Sequence, residues 1–162
     1  MESSNHETAS GLTTETRTNS IKPMQKSETD KTHSPILFLL FNHTLTPAQQ
    51  EDARTSLGVN KIVRLPDELK EIWEAIPPDL SEVVHILDPV KNWLNVSARQ
   101  GDYVLIQGDF GACYIIVNFA FESGLIPVYS TTQREAVEKV FQDGSINLTH
   151  RFNHRIFRRY ER

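Results

Sequence analysis

Apolar and polar positions along this chain fall into blocks whose period shifts between strand and helix. Residues 35–41 (PILFLLF) form a continuous apolar run of strand length. Such a run marks a parallel strand covered on both faces. Thr46, Pro47 and Gln49 then read as N-cap, N1 and N3 of a helix with a capping box, which Gly58 ends. Residues 61–65 (KIVRL) predict a second strand. Pro66, Asp67 and Glu68 open a helix whose apolar stripe is Leu69, Ile72, Trp73 and Ile76. Pro77 and Pro78 stop it. Asp79 with Glu82 resembles another capping box, followed by a stripe of Leu80, Val83, Val84 and Leu87. Pro89 kinks or restarts that helix, and Val90, Trp93, Leu94 and Ser97 continue it to Gly101.

The stretch 101–132 frames the rest. Residues 103–107 (YVLIQ) predict a short buried strand, and Gly108, Asp109, Phe110 and Gly111 a tight turn. Residues 112–121 are apolar apart from Asn118, too few to span a bilayer, and so predict a core helix that Gly124 closes. Residues 127–132 form a further strand with proline at its first position. Downstream, Gln142, Asp143, Gly144 and Ser145 carry an Asp-Gly turn signal. Ile146, Leu148, His150 and Phe152 alternate with polar residues after it, while 136–141 is ambiguous between strand and helix. A C-terminal β-hairpin is expected.

The order β-α-β-α-α-β-α-β predicts an α/β fold, a small doubly wound Rossmann-like parallel sheet of strand order 2-1-3-4. In such a sheet, ligands bind where the chain direction reverses, outside the carboxyl ends of the strands. The loop of Asn42, His43 and Thr44 should meet the 108–111 turn there. The fourth strand should deliver Ser130, Thr131, Thr132 and Arg134 beside them.

Composition limits the alternatives. The chain has 162 residues, a net charge of −4 and one cysteine. That fits one domain over residues 35–162, with a basic C-terminal end, behind a polar leader over residues 1–34 that is expected to be disordered. Mild acidity offers no general attraction for duplex DNA. A lone cysteine excludes an internal disulfide and fits the cytoplasm, and no membrane segment is expected.

The chemistry expected at the switch point is anionic. Amide groups at a helix start, hydroxyls of Ser130, Thr131 and Thr132, and the forked guanidinium of Arg134 all suit phosphate. His43 is the nearby group that titrates near neutrality. Asn42, Gly108, Asp109, Phe110, Gly111 and Tyr114 complete the expected binding set. Plainer roles stand beside these. Asp109 can simply cap the helix, Tyr114 can pack in the core, and Arg134 can pair with Glu135 or Glu138. His150 and His154 have metal-like spacing but no nearby third ligand, so no metal and no cofactor are expected.

LFLLFNHTLT, LPDELKEIW, GDYVLIQGDFGA, LIPVYSTTQREAV and the closing DGS…FNHRIFRRY resemble a small CRISPR-associated family, Csx-twenty, over about residues 36–160. The resemblance implies a CRISPR-associated-Rossmann-like fold and a ring nuclease that degrades cyclic oligoadenylate, cyclic tetra-adenylate above all. It also implies metal-independent attack by a ribose 2′-OH on the adjacent phosphorus. His43, Thr132 and Arg134 are then the expected catalytic groups, and a homodimer the expected assembly for a cyclic ligand with internal symmetry. Two other classes remain: a protein that binds the ring without cutting it, and a module whose arginine-rich end binds RNA or a protein.

Overall fold

The apolar run at the start of the domain becomes the middle of a sheet because it can hide both of its faces. In the computed structural model, which describes residues 34–140 and 146–162, β1 (Ile36–Phe41) pairs in parallel with β2 (Lys61–Arg64) on one side. On the other side it pairs in parallel with β3 (Tyr103–Gln107). The complete order is β2-β1-β3-β4-β5, with β4 (Ile126–Val140) parallel to β3 and β5 (Ile146–Arg159) antiparallel to β4. This is the expected α/β sheet with its C-terminal hairpin. The expected leader, Ser34 apart, and the Asp-Gly turn at 142–145 lie outside the described residues.

Strand alternation sorts the core into two layers. Phe38, Leu40, Val104 and Ile106 face α2 (Asp67–Glu74), α3 (Asp88–Ser97) and α4 (Phe110–Glu122), packing on Trp73, Leu87, Leu94, Ile116 and Ala120. Leu37, Leu39, Tyr103 and Leu105 face the other way, joining Ala53 of α1 (Pro47–Ser56), Val128 and Phe157. Helices therefore cover both faces, and the crossover direction reverses between β1 and β3.

Several local signals are realised as hydrogen bonds. Thr46 Oγ1 accepts from the Gln49 N–H at 3.2 Å, and Gln49 Oε1 accepts from the Thr46 N–H at 2.9 Å, a complete capping box. Gly124, with φ of +71°, ends α4. Its N–H donates to Phe121 O, and the Leu125 N–H donates to Ala120 O at 2.8 Å. These paired bonds satisfy the last carbonyls of the helix.

Four boundaries differ from expectation. The Asp79–Glu82 pattern starts no helix. Leu80 and Val84 are exposed, and the chain reaches only a 3₁₀ turn at His85–Leu87 before α3 begins beside Pro89. Proline lacks the N–H needed inside a helix but suits its first turn, so Pro89 restarts the helix rather than kinking it. α3 then stops at Ser97, not at Gly101. The helix after β3 starts at Phe110, leaving a turn of only Gly108 and Asp109. Finally, the fourth strand does not end at residue 132. β4 pairs with β3 only from Ile126 to Val128, then runs on to Val140 against β5 as a two-stranded arm. The ambiguous stretch before the turn is strand.

Candidate functional site

Two strand ends converge at the switch point, beside the middle of β4. β1 ends at Phe41, and the chain crosses to α1 through Asn42, His43 and Thr44, anchored by buried Leu45 and the capped Thr46. The His43 imidazole is exposed and stands edge-on to the Phe41 ring, with 5.4 Å between centroids. β3 ends at Gln107, whose side chain continues the β4 pairing where the ladder stops. Its Oε1 accepts from the Ser130 N–H at 2.9 Å, and its Nε2 donates to Ser130 O at 3.5 Å. Gly108 then turns over the buried Trp73 ring, whose Nε1–H donates to Gln107 O at 3.2 Å.

Between these ends lies a crevice of about 500 Å³. Its floor and walls come from Asn42, His43, Thr44, Gly108, Ser130 and Thr132, with Phe41, Thr46, Gln49, Gln107 and Phe152. A smaller recess of about 230 Å³ shares the 41–44 segment and adds Arg64 and Lys70. Lys70 is paired with Glu74 at 2.8 Å. Among the described residues, Asn42 Oδ1 is a buried acceptor with no hydrogen-bond donor. A buried polar atom without a partner costs about 1–3 kcal/mol, so it marks a place where the fold tolerates a loss.

Asn42, His43, Gly108, Ser130 and Thr132 thus meet as the sequence suggests. The other expected residues do not line this crevice. Asp109 caps α4, its Oδ1 accepting from the Ala112 N–H at 2.9 Å, and its carboxylate occupies the helix start that was expected to hold phosphate. Gly111 lies inside the first turn of α4. Thr131 Oγ1 bonds the Ile156 N–H at 3.2 Å and Ile156 O at 3.1 Å, filling an irregularity in the β4–β5 ladder. Arg134 is exposed on the arm, opposite Phe152. Phe110 and Tyr114, 94% and 72% exposed, line a separate cavity with Val117, Phe121 and Tyr160. Tyr114 is therefore not in the core. Cys113 lines the same cavity, and burial pushes its thiol above the ordinary value.

Sequence reasoning missed a buried polar chain behind the crevice. Gln49 Nε2 donates to Ser130 Oγ at 3.1 Å, and Ser130 Oγ lies 2.7 Å from His154 Nδ1. His154 Nε2 lies 2.9 Å from Asp52 Oδ2, which also accepts from the Phe157 N–H at 3.1 Å. Burial alone would raise the Asp52 pKa. Hydrogen bonds from Ser56, His154 and Phe157 outweigh it and hold the carboxylate below its usual value. Asp52 sits on α1 and His154 on β5, 102 residues apart, so no local motif signals the pair. His150 and His154 lie on a strand, where four residues span about 13 Å, too far to share one ion. The one available hint was Gln107, a polar residue closing an otherwise apolar strand.

The comparisons with known proteins point in one direction. A family described as "Uncharacterized protein MJ1673 family" matches residues 35–158. The chain belongs to this family. A relative titled "Uncharacterized protein MJ1673", from Methanocaldococcus jannaschii, is 49% identical over 126 residues, which is 78% of this chain and 97% of that protein. The family match begins where the predicted leader ends and takes in the whole crevice and the polar chain behind it. No solved structure gives a significant match.

Proposed function

We propose that this member of the MJ1673 family is a ring nuclease that cleaves cyclic oligoadenylate, cyclic tetra-adenylate above all, and so ends type III CRISPR antiviral signalling. The observation that carries the reading is the switch-point crevice. It joins a titratable side chain, His43, to a buried unpartnered acceptor, Asn42 Oδ1, beside hydroxyls, and the smaller recess that shares residues 41–44 adds the cationic Arg64. The resemblance to the Csx-twenty family supports the same reading.

The proposed reaction uses the substrate's own nucleophile. A ribose 2′-oxygen attacks the adjacent phosphorus, the bond from phosphorus to the 5′-oxygen breaks, and a 2′,3′-cyclic phosphate remains. The 2′-OH proton passes to a base, and the departing 5′-oxygen takes a proton from an acid. Asn42 Oδ1 suits a hydrogen bond from ribose or adenine, and Thr132 a bond to phosphate oxygen. Arg64 takes the charge role that the sequence alone suggested for Arg134. His43 suits proton transfer, worth about 10²–10⁴-fold. Cavities of about 300–1,000 Å³ hold drug-sized molecules, and a four-nucleotide ring is larger than one such crevice. We therefore propose a cytoplasmic homodimer with two crevices facing one ring.

The test is incubation of sub-stoichiometric protein with cyclic tri-, tetra- and hexa-adenylate in EDTA, with products read by mass. Multiple turnovers of cyclic tetra-adenylate to linear products ending in 2′,3′-cyclic phosphate are expected. Tight binding without turnover would point instead to a sensor or sponge.

A further inference from the structure

We propose that Ser130, His154 and Asp52 form a proton relay in which the Ser130 hydroxyl is the general base of the crevice, opposite His43 as the acid. This rests on the ring-nuclease reading and names the second proton-transfer group that reaction needs.

The hydrogen bonds set the direction of the relay. Gln49 Oε1 accepts from the Thr46 N–H, so its amide nitrogen faces Ser130 Oγ and must donate to it. The Ser130 proton is then free to point at His154 Nδ1, 2.7 Å away. On the far side of the ring, Nε2 meets Asp52 Oδ2 at 2.9 Å, and a carboxylate accepts only, so Nε2 carries the proton. With Nδ1 accepting from the serine, the ring is the Nε2–H tautomer that the relay requires. The His154 side chain is 5% exposed and that of Asp52 16%, whereas Ser130 also lines the crevice. Ser130 is itself buried, 6% exposed, and of the three it is the one that lines the crevice.

Three elements hold the ring. Asp52 on α1 is the charged group in contact with it; Ser130 and Thr132 of β4 and Phe157 of its own strand are uncharged. When a 2′-OH proton moves to Ser130 Oγ, the serine proton moves to Nδ1. The resulting imidazolium is stabilised by the Asp52 carboxylate. The 2′-oxygen bonds to phosphorus, and the 5′-oxygen leaves with a proton from the imidazolium form of His43. Ser130 touches substrate and is catalytic; His154 and Asp52 position it and store the proton. The serine, the histidine and the carboxylate play parts known from nucleophile activation, but here the nucleophile is the substrate's.

Two measurements on the full chain test this. Nitrogen NMR of the free protein should show His154 with a bare Nδ1 and a protonated Nε2. A proton on Nδ1 would overturn the relay whatever the protein cleaves. Single-turnover cleavage of cyclic tetra-adenylate should fall about 10²-fold or more in Ser130→Ala and in the isosteric Asp52→Asn, with affinity within a few-fold. The acid-side inflection of the rate should move to lower pH in Asp52→Asn, because imidazolium loses its counter-charge; a merely structural carboxylate would not move it. If wild-type protein cleaves and both variants match it per folded molecule, the relay falls and the ring-nuclease reading stands. If wild-type protein does not cleave, that reading fails and the relay's role in it fails too.

Discussion

Gly108 is the position where the site and the core compete for the same space. A Cβ placed there would lie 3.0, 3.1 and 3.2 Å from Nε1, Cε2 and Cζ2 of Trp73. The ring is 2% exposed and its Nε1–H is bonded to Gln107 O, so it has little freedom to retreat. Overpacking of this kind costs about 1–3 kcal/mol, and stretching the indole bond adds about 0.5–1.5 kcal/mol. Gly108→Ala should therefore destabilise by about 2–4 kcal/mol. A domain of this size loses about 3–5 °C of melting temperature per kcal/mol, so the midpoint should fall by roughly 6–20 °C. Urea unfolding followed by circular dichroism gives the free energy directly. The decisive comparison is the double-mutant cycle with Trp73→Leu, which removes the indole atoms that a Cβ would strike. In that background Gly108→Ala should cost at least about 1 kcal/mol less than in the native one. Equal costs in the two backgrounds would refute the argument, since the clash would then not be with Trp73.

His43→Ala should leave affinity for cyclic tetra-adenylate within a few-fold and cut single-turnover cleavage by about 10²-fold, removing an ionisation between about pH 6 and 8; a wild-type rate and pH profile would reduce His43 to a loop residue. Asp52→Asn should also change acid stability. The folded pKa of Asp52 is lowered below 3.8, so its contribution is present above that value and is lost as pH falls through the folded pKa. The stability gap between wild type and Asp52→Asn should be about 1–3 kcal/mol at pH 6 and shrink below pH of about 3.8, read by urea midpoints at both; a gap that does not change with pH would contradict the assignment.

Much of this protein was legible as pattern. Periodicity and turn residues set β1, β2 and β3 near their observed places, because burying an apolar run on both faces requires a central parallel strand. The Thr46 capping box and the Gly124 helix end were readable because each satisfies its hydrogen bonds within about five residues. The switch-point loops followed from element order, since handedness alone dictates where crossovers reverse. Other features were decided only when distant segments packed. Asp79 and Glu82 had the right spacing for a helix start, but only Val83 and Leu87 of that stripe reach the core, and Pro89 supplied a better start. Arg134 followed the other site residues in sequence yet left them in space, because β4 outruns β3 after Val128 and continues with β5 alone. Ser130, His154 and Asp52 come from β4, β5 and α1. Their contact depends on α1 packing over Val128 and Phe157, a relation between elements that local spacing along the chain does not encode.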